Sequence, residues 1–186
     1  MLGTVAGIEL IVAWFAWAYP FVVHAPHGQK RQSATDPAST IIGFTLQGAA
    51  VFIAWTVRAP ALNHPGTARI VASMLLGPAA AALAWVAVGA LGRQYRITAG
   101  VFEDHELVRA GPYRVVRHPI YASLLLILLS TLSLLTPWIW AAVSLVVFVA
   151  GTEIRIHAEE RMLASFFGGD FQDYRKTVRA YIPFVR

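Results

Sequence analysis

Five apolar runs, separated by short polar segments, dominate the pattern of hydrophobic and polar positions along the chain. A helix needs roughly 20 residues to cross the hydrocarbon core of a bilayer, and each run comes close to that length or exceeds it. The runs cover residues 2–23, 40–57, 70–91, 120–136 and 137–151. The pattern therefore predicts an all-α, polytopic membrane protein with five transmembrane helices.

The polar breaks between these runs differ in character. The first run is long, uninterrupted and without basic residues at its start, so we expect a transmembrane helix rather than a signal peptide. Pro78 lies inside the third run, where a kink is tolerated if neighbouring helices cover the freed carbonyl. The last two runs share one turn and predict a tight helical hairpin, whose second helix continues through Glu153. The turn-rich loop 25–39 is predicted to be a plain connector.

Composition supports a membrane location and removes several kinds of site. The chain of 186 residues is 57% hydrophobic and 13% charged, whereas soluble domains are nearer half apolar and a quarter charged. The absence of cysteine excludes disulfides, thiolate zinc sites, iron–sulfur clusters and a cysteine nucleophile. The net charge of +5 in so apolar a chain favours contact with membrane lipids over nucleic acid.

The placement of Lys and Arg predicts the orientation. If the loop after the third run is cytoplasmic, all the basic residues except Arg58 and Arg69 lie on the cytoplasmic side. We therefore expect the amino terminus outside, and the carboxyl terminus and segments 92–119 and 153–186 in the cytoplasm. Those segments hold every carboxylate except Glu9 and Asp36. We expect residues 1–91 to form three transmembrane helices and 92–186 to form the catalytic region, with Glu9 too far from that face to belong to the site.

A concentrated polar stretch covers residues 105–121, just before the fourth run. Gly111 and Pro112 predict a turn, and Pro119 suits the first turn of a helix, where its missing N–H is not needed. Arg117 and His118 then lie at the amino-terminal mouth of a membrane helix, which favours an anionic ligand group. No glycine-rich loop follows a predicted strand, so neither a dinucleotide fold nor a phosphate loop is indicated.

Motifs over the last 80 or so residues resemble those of the isoprenylcysteine carboxyl methyltransferase family. Related bacterial phospholipid N-methyltransferases share the pattern. The resemblance extends from His105 to Arg186 and lies in one turn motif, one helix-entry motif, a glutamate pair and an aromatic carboxyl-terminal set. These are Gly111-Pro112-Tyr113, Arg117-His118-Pro119-Ile120-Tyr121, Glu159-Glu160, Phe166-Phe167-Gly168, Phe171, Tyr174, Val178 and Pro183-Phe184.

The resemblance implies a methyltransferase that takes S-adenosylmethionine from the cytosol, releases S-adenosylhomocysteine, and methylates a lipophilic small molecule or lipid that enters from the bilayer. Matching the motifs implies one set of cofactor-binding positions: His105, Glu106, Leu107, Val108, Tyr113, Arg117, His118, Pro119, Ile120 and Glu159. Arg155 is implied as the catalytic arginine that binds the acceptor. A further contact of the family, often glutamine, falls near Thr98, and residues 170–186 are implied to cover the cofactor.

The residues themselves fit this chemistry but leave the acceptor open. Arg155 and Glu159 are four apart and share a helical face, where they form either an exposed ion pair or part of the site. Glu160 points about 100° away and is expected to be solvated. No histidine spacing matches a zinc pattern, so no metal is predicted. Methyl transfer mainly requires alignment and exclusion of water.

Three readings of the function follow. An isoprenylcysteine-type carboxylate is favoured as the acceptor, because the Arg155 guanidinium would repel a protonated amine. A phospholipid amine or a small thiol is the alternative acceptor. The third reading is a non-catalytic, lipid-binding membrane protein of the same fold. The sequence predicts no particular oligomeric state.

Overall fold

The computed structural model describes residues 2–24, 31–58, 65–95, 100–102 and 106–183 of the chain. In these ranges the chain forms six α-helices, two short strands and two turns of 3-10 helix. The elements are α1 (Leu2–Val23), β1 (Arg31–Ala34), α2 (Pro37–Thr56), α3 (Thr67–Leu91), a 3-10 turn (Gly92–Gln94), β2 (Gly100–Phe102), a 3-10 turn (Gly111–Arg114), α4 (Pro119–Leu135), α5 (Trp138–Phe167) and α6 (Gly169–Thr177).

The five predicted apolar helices are all present, within three residues of the predicted starts. Helices α1, α2, α3 and α5 are long and apolar enough to cross a membrane, whereas α4 is shorter at 17 residues. Proline sets two of the starts: Pro37 follows Asp36, which caps the main-chain N–H of Ser39, and Pro119 follows His118. As predicted, α5 continues past Glu153; it ends at Phe167 and is followed by Gly168, whose φ of 53° suits glycine. The chain is thus a polytopic membrane protein.

The loop predicted to be a plain connector contains a strand, so that prediction is wrong for residues 31–34. Strand β1 pairs with β2 in antiparallel fashion, with Arg31 opposite Phe102 and Ala34 opposite Gly100. Residues 25–30 lie outside the described part of the chain. The pairing places the segments after α1 and after α3 at the same end of the helices, which we call the polar end. It could not be predicted because its two partners are far apart in sequence.

The helices pair differently from the predicted hairpin. A short turn joins α4 to α5, as expected, but α4 packs mainly against α3 and α5 mainly against α2, while α1 packs against α3. Small residues explain the close packing on α3, since side chains no larger than that of serine let helix backbones approach in a membrane. The buried small residues on this helix are Ser73, Gly77, Ala80, Ala81, Ala84 and Ala87.

Polar side chains inside the bundle are mostly paired between helices, as expected where no water is available. The indole Nε1 atoms of Trp14 and Trp17 donate to Thr131 and Ser123, each at 3.0 Å. Glu9 differs: both of its carboxyl oxygens are buried, and neither has a hydrogen-bond partner among the described residues. Its side chain packs beside Gly77 in α3, where a Cβ would lie 2.9 Å from Oε1 of Glu9.

Arg69 stabilises the end of α4, and its loss is expected to be costly. Its guanidinium donates to the carbonyls of Leu132, Ser133 and Thr136 at the carboxyl-terminal end of α4, where the last main-chain carbonyls lack a full set of helical partners. We expect Arg69→Ala to lower the free energy of unfolding by about 1–3 kcal/mol, measured by thermal or denaturant unfolding in detergent. Within the described part of the chain, the exposed Arg58 bonds only to the nearby Trp55 carbonyl, so Arg58→Ala serves as the control. Equal stability of the two variants would contradict this role.

Candidate active site

A cavity of about 680 Å³ opens near the polar end of the bundle, within the size range of small-molecule sites. Its membrane-side wall is apolar and comes from α1, α2 and α4. Its polar wall comes from residues 91–95 and 106–118, from α5 and from α6. The apolar wall includes Trp14, Trp17, Ala18, Phe21, Val22, Phe44, Val51 and Leu124. The cavity can therefore accommodate a molecule with one polar and one greasy part.

Most of the residues predicted for the site lie on this one cavity. Nine of them line it: Glu106, Leu107, Val108, Tyr113, Arg117, His118, Ile120, Arg155 and Glu159. Pro119 does not line the cavity but begins α4, as its ring geometry predicts. His105 and Thr98 lie outside the described residues. Separate segments thus converge on a single space, and their roles in it stay a prediction.

Glu159 lies at the centre of the polar wall. Its Oε1 accepts a hydrogen bond from the Tyr121 hydroxyl and lies 3.8 Å from Nη2 of Arg155. Its Oε2 lies 3.6 Å from Nδ1 of His118. The Glu159 side chain remains 17% exposed, so a ligand in the cavity can still reach this carboxylate. The predicted shared face of Arg155 and Glu159 on α5 is confirmed.

Arg155 is buried between two aromatic rings beside the apolar wall. Its Cζ lies 3.7 Å from the ring centre of Phe44 and 4.9 Å from that of Tyr121. Nη1 donates to Oε1 of Gln47 at 2.9 Å, and Nε2 of Gln47 donates to Thr152 at 2.9 Å. Sequence reasoning missed Gln47. The available signal was a carboxamide within an apolar run, since polar residues inside membrane helices commonly mark function.

Glu160 is buried, so the prediction of a solvated neighbour is wrong. The residue is only 6% exposed. Its Oε1 accepts from Nε of Arg117 at 3.0 Å and lies 3.3 Å from Nε2 of His118, while Oε2 lies 3.3 Å from Nε of Arg175. The error has a physical cause: the chain after α5 folds back and covers the second face of that helix. Two adjacent glutamates therefore have different surroundings, one facing the cavity and one facing the returning chain.

Arg117 joins the start of α4 to the returning carboxyl-terminal segment, residues 169–183. Beyond its bonds to Glu160, its Nη1 donates to the carbonyls of Arg175 and Val178. The main-chain N–H groups of Arg117 and His118 donate to the carbonyls of residues 179 and 180, each at 2.7 Å. Because most of its donors are taken, Arg117 is better suited to holding the carboxyl-terminal segment than to binding a ligand carboxylate directly.

Helix α6 closes the polar end of the cavity. Phe171 and Tyr174 line the cavity from this helix, and the Tyr174 hydroxyl donates to the carbonyl of Tyr113 at 2.5 Å. On the outer side, Nη2 of Arg109 donates to the carbonyl of Asp170 at 2.7 Å. This placement agrees with the implied covering role of residues 170–186, of which 184–186 lie outside the described chain.

The phenols around the polar wall remain neutral at physiological pH. Burial raises the pKa of Tyr174 and that of Tyr95 to about 12 each. Burial, with smaller contributions from Tyr174 and Glu159, raises the pKa of Tyr113 well above its ordinary value. These side chains therefore serve as hydrogen-bond donors and as aromatic surface, not as bases.

Gln94 is a second polar residue that sequence reasoning missed. It lines the cavity just beyond α3, and its Oε1 accepts a hydrogen bond from the main-chain N–H of Glu106 at 2.9 Å. That bond fixes the backbone at the start of the run Glu106, Leu107 and Val108. The glutamine that the family resemblance placed near Thr98 thus has a candidate in Gln94, four residues earlier.

Comparison with known proteins identifies the family. A sequence model described as the isoprenylcysteine carboxyl methyltransferase (ICMT) family matches residues 70–165, just over half of the chain. A protein-S-isoprenylcysteine O-methyltransferase of Schizosaccharomyces pombe is 37% identical over 83 residues, which cover 45% of this chain and 35% of that protein. Protein-S-isoprenylcysteine O-methyltransferase B of Arabidopsis thaliana is 36% identical over 83 residues, covering 45% and 42%.

A third relative gives the same picture. The protein-S-isoprenylcysteine O-methyltransferase of Tribolium castaneum is 39% identical over 83 residues, which cover 44% of this chain and 29% of that protein. The matched segments thus cover between 29% and 42% of the length of these three curated relatives. The matched region of the family model contains all of α4 and most of α3 and α5, together with the polar residues 106–118. The chain therefore belongs to the isoprenylcysteine carboxyl methyltransferase family.

Proposed function

We propose that the protein is an S-adenosylmethionine-dependent methyltransferase of the membrane that methylates a lipophilic acceptor, such as an isoprenylcysteine-type carboxylate. The observation that carries the proposal is the cavity itself. In it, Glu159 and His118 lie on the polar wall, and Arg155 lies where that wall meets the apolar wall. Five spans, with the amino terminus outside and the carboxyl terminus in the cytoplasm, place the polar wall at the cytosolic face.

The polar wall suits the cofactor. When bound, S-adenosylmethionine supplies a methyl group on a positively charged sulfonium. The Glu159 carboxylate and the faces of Tyr113 and Tyr174 provide the negative and aromatic surroundings that favour a cation. The positive amino-terminal end of the α4 dipole adds an attraction for a carboxylate, although the main-chain N–H groups of Arg117 and His118 are already bonded to residues 179 and 180. Residues 92–186 thus form the catalytic region, to which α1 and α2 add the apolar wall.

The apolar wall suits the acceptor. Helices α1 and α2 both line the cavity, yet α1 packs mainly on α3 and α2 on α5, so the proposal has the acceptor enter from the bilayer between these two helices. Arg155 lies where the apolar wall meets Glu159. An acceptor carboxylate is already a nucleophile, so Arg155 has to orient it, and the closed cavity has to exclude water. A protonated amine would instead be repelled by the same guanidinium.

Calorimetric titration of the detergent-purified protein with S-adenosylhomocysteine tests the cofactor. We expect binding in about the micromolar range, lost in both Glu159→Ala and His118→Ala because each removes a polar group from the same wall. Glu153→Ala is the matched control, since Glu153 lies on the same helix but outside the cavity lining. No heat from folded wild type would overturn the proposal and leave a lipid-binding role.

Transfer of a labelled methyl group then tests the acceptor. Three acceptors are compared in the same detergent: an S-prenylated cysteine with a free carboxylate, a small thiol and a phosphatidylethanolamine. Transfer to the carboxylate alone supports the proposal. Transfer to the thiol or the amine alone would replace the proposed acceptor while keeping the methyltransferase activity.

A further inference from the structure

Gln47 is a buried carboxamide near the middle of α2, and only 4% of it is exposed. An amide left unpaired at such depth would destabilise the fold. Both ends of this amide are paired with α5: Nε2 donates to Oγ1 of Thr152, and Oε1 accepts from Nη1 of Arg155, each at 2.9 Å. Because a guanidinium can only donate, the oxygen must face Arg155, which fixes the orientation of the amide.

The stem of Arg155 is held by the same stretch of α2. A Cβ on Gly43 would overlap Cγ of Arg155 and lie 2.9 Å from its Cδ. The Phe44 ring then lies against the guanidinium, 3.7 Å from ring centre to Cζ. The Arg155 side chain therefore fits across α2 only because residue 43 is glycine.

The chemistry of Gln47 preserves the charge of Arg155. The Glu159 carboxylate lies 3.8 Å from Nη2 of Arg155, within ion-pair distance but too far for a hydrogen bond, whereas Oε1 of Gln47 accepts a hydrogen bond from Nη1 at 2.9 Å. An amide orients the guanidinium without neutralising it. A carboxylate at the same place would form a buried ion pair and repel an anionic ligand.

We infer that Gln47 is a positioning residue that aims the Arg155 guanidinium at the acceptor and so sets the preference for an anionic acceptor. Gly43 and Phe44 support it by fixing the arginine stem. All three residues precede residue 70 and lie outside the region matched by the family model. The inference rests on the proposed function and deepens it, because it assigns the choice of acceptor to α2.

Steady-state kinetics with an S-prenylated cysteine carboxylate test this role. Gln47→Leu is expected to raise KM for the acceptor about 10- to 100-fold, because it removes one hydrogen bond to a charged group. Gln47→Glu is expected to raise KM further although it keeps the size and the acceptor oxygen, because it adds an opposing charge. S-adenosylhomocysteine affinity is expected to stay at the wild-type value in both variants. Unchanged acceptor KM in both would overturn the inference.

A double-mutant cycle separates positioning from a purely structural effect. In an Arg155→Ala background, Gln47→Leu is expected to change KM no further, since there is no guanidinium left to aim. An additive effect would show that Gln47 acts only through helix packing and would overturn the inference. Wild-type protein that methylates no prenylcysteine carboxylate would overturn the proposed acceptor as well, and that outcome is distinguishable because it precedes any variant.

Glycine variants test the path of the arginine stem. Gly43→Ala is expected to raise acceptor KM at least as much as Gln47→Leu, because the new methyl group displaces the stem. Gly89→Ala is the matched control: it lies in α3, outside the cavity lining, and its Cβ would meet nothing within 4 Å. Similar kinetics for the two alanine variants would count against the role assigned to α2.

Discussion

Replacing Arg155 with alanine is expected to lower kcat/KM for an isoprenylcysteine-type carboxylate about 100-fold or more, with S-adenosylhomocysteine binding retained. Removing one partner of a desolvated charge pair costs about 2–5 kcal/mol, and Arg155 is only 8% exposed. Its loss removes the charge that would orient the acceptor, whereas Glu159 still keeps its hydrogen bond from Tyr121. The measurement is methyl transfer at varied acceptor concentration, beside calorimetry with the cofactor product.

Two further variants make this result specific. Arg155→Lys keeps the charge but loses the planar guanidinium that stacks on Phe44 and reaches Gln47, so we expect intermediate activity. Arg161→Ala removes an exposed arginine from the same helix and is expected to behave as wild type. If Arg155→Ala instead abolished product binding and left acceptor KM unchanged, Arg155 would belong to the cofactor side of the cavity.

Replacing Glu160 with alanine is expected to destabilise the protein by about 3–5 kcal/mol, because it leaves Arg117 buried without its partner. The same change is expected to weaken S-adenosylhomocysteine binding strongly, since Arg117 and Arg175 no longer tie the carboxyl-terminal segment to α5. Denaturant unfolding in detergent and calorimetry measure the two effects. Asp173→Ala removes a carboxylate that is 74% exposed on α6 and is expected to change neither.

Removing both partners distinguishes the cost of a buried unpaired charge from the other effects of losing Glu160. In Arg117→Met with Glu160→Met, no buried charge is left unpaired, so the stability cost is expected to be smaller than for Glu160→Ala alone. A double variant that costs the sum of Arg117→Met alone and Glu160→Met alone would contradict the coupling. Product binding in the stable double variant then reports directly whether the carboxyl-terminal segment needs this pair to cover the cavity.

The positions of the apolar helices were predictable because they depend on local length and composition. A run of roughly 20 apolar residues is most stable inside a membrane. Pro37 and Pro119 mark two helix starts, because proline has no main-chain N–H and its φ suits the first helical position. The shared face of Arg155 and Glu159 was predictable for the same kind of reason, since four residues make about one helical turn.

Three features of the structure could not be predicted from local sequence. The burial of Glu160, the bond from Arg155 to Gln47 and the pairing of β1 with β2 all join segments that are distant in sequence. Helical periodicity gives the angle between Glu159 and Glu160, but not what covers each side. Only the return of the carboxyl-terminal segment over α5 decides that Glu160 is buried while Glu159 faces the cavity.

The sequence by itself determined the membrane class, the five apolar helices and the set of polar residues near the end of the chain, because hydrophobicity, helical period and proline act over neighbouring residues. The tertiary structure alone decided which helices pack together and that α1 and α2 wall the cavity. It also decided that a neutral amide in α2 holds the guanidinium of Arg155. Such contacts depend on how closely two helix backbones approach, as at Gly43, and this distance cannot be predicted from a local sequence pattern.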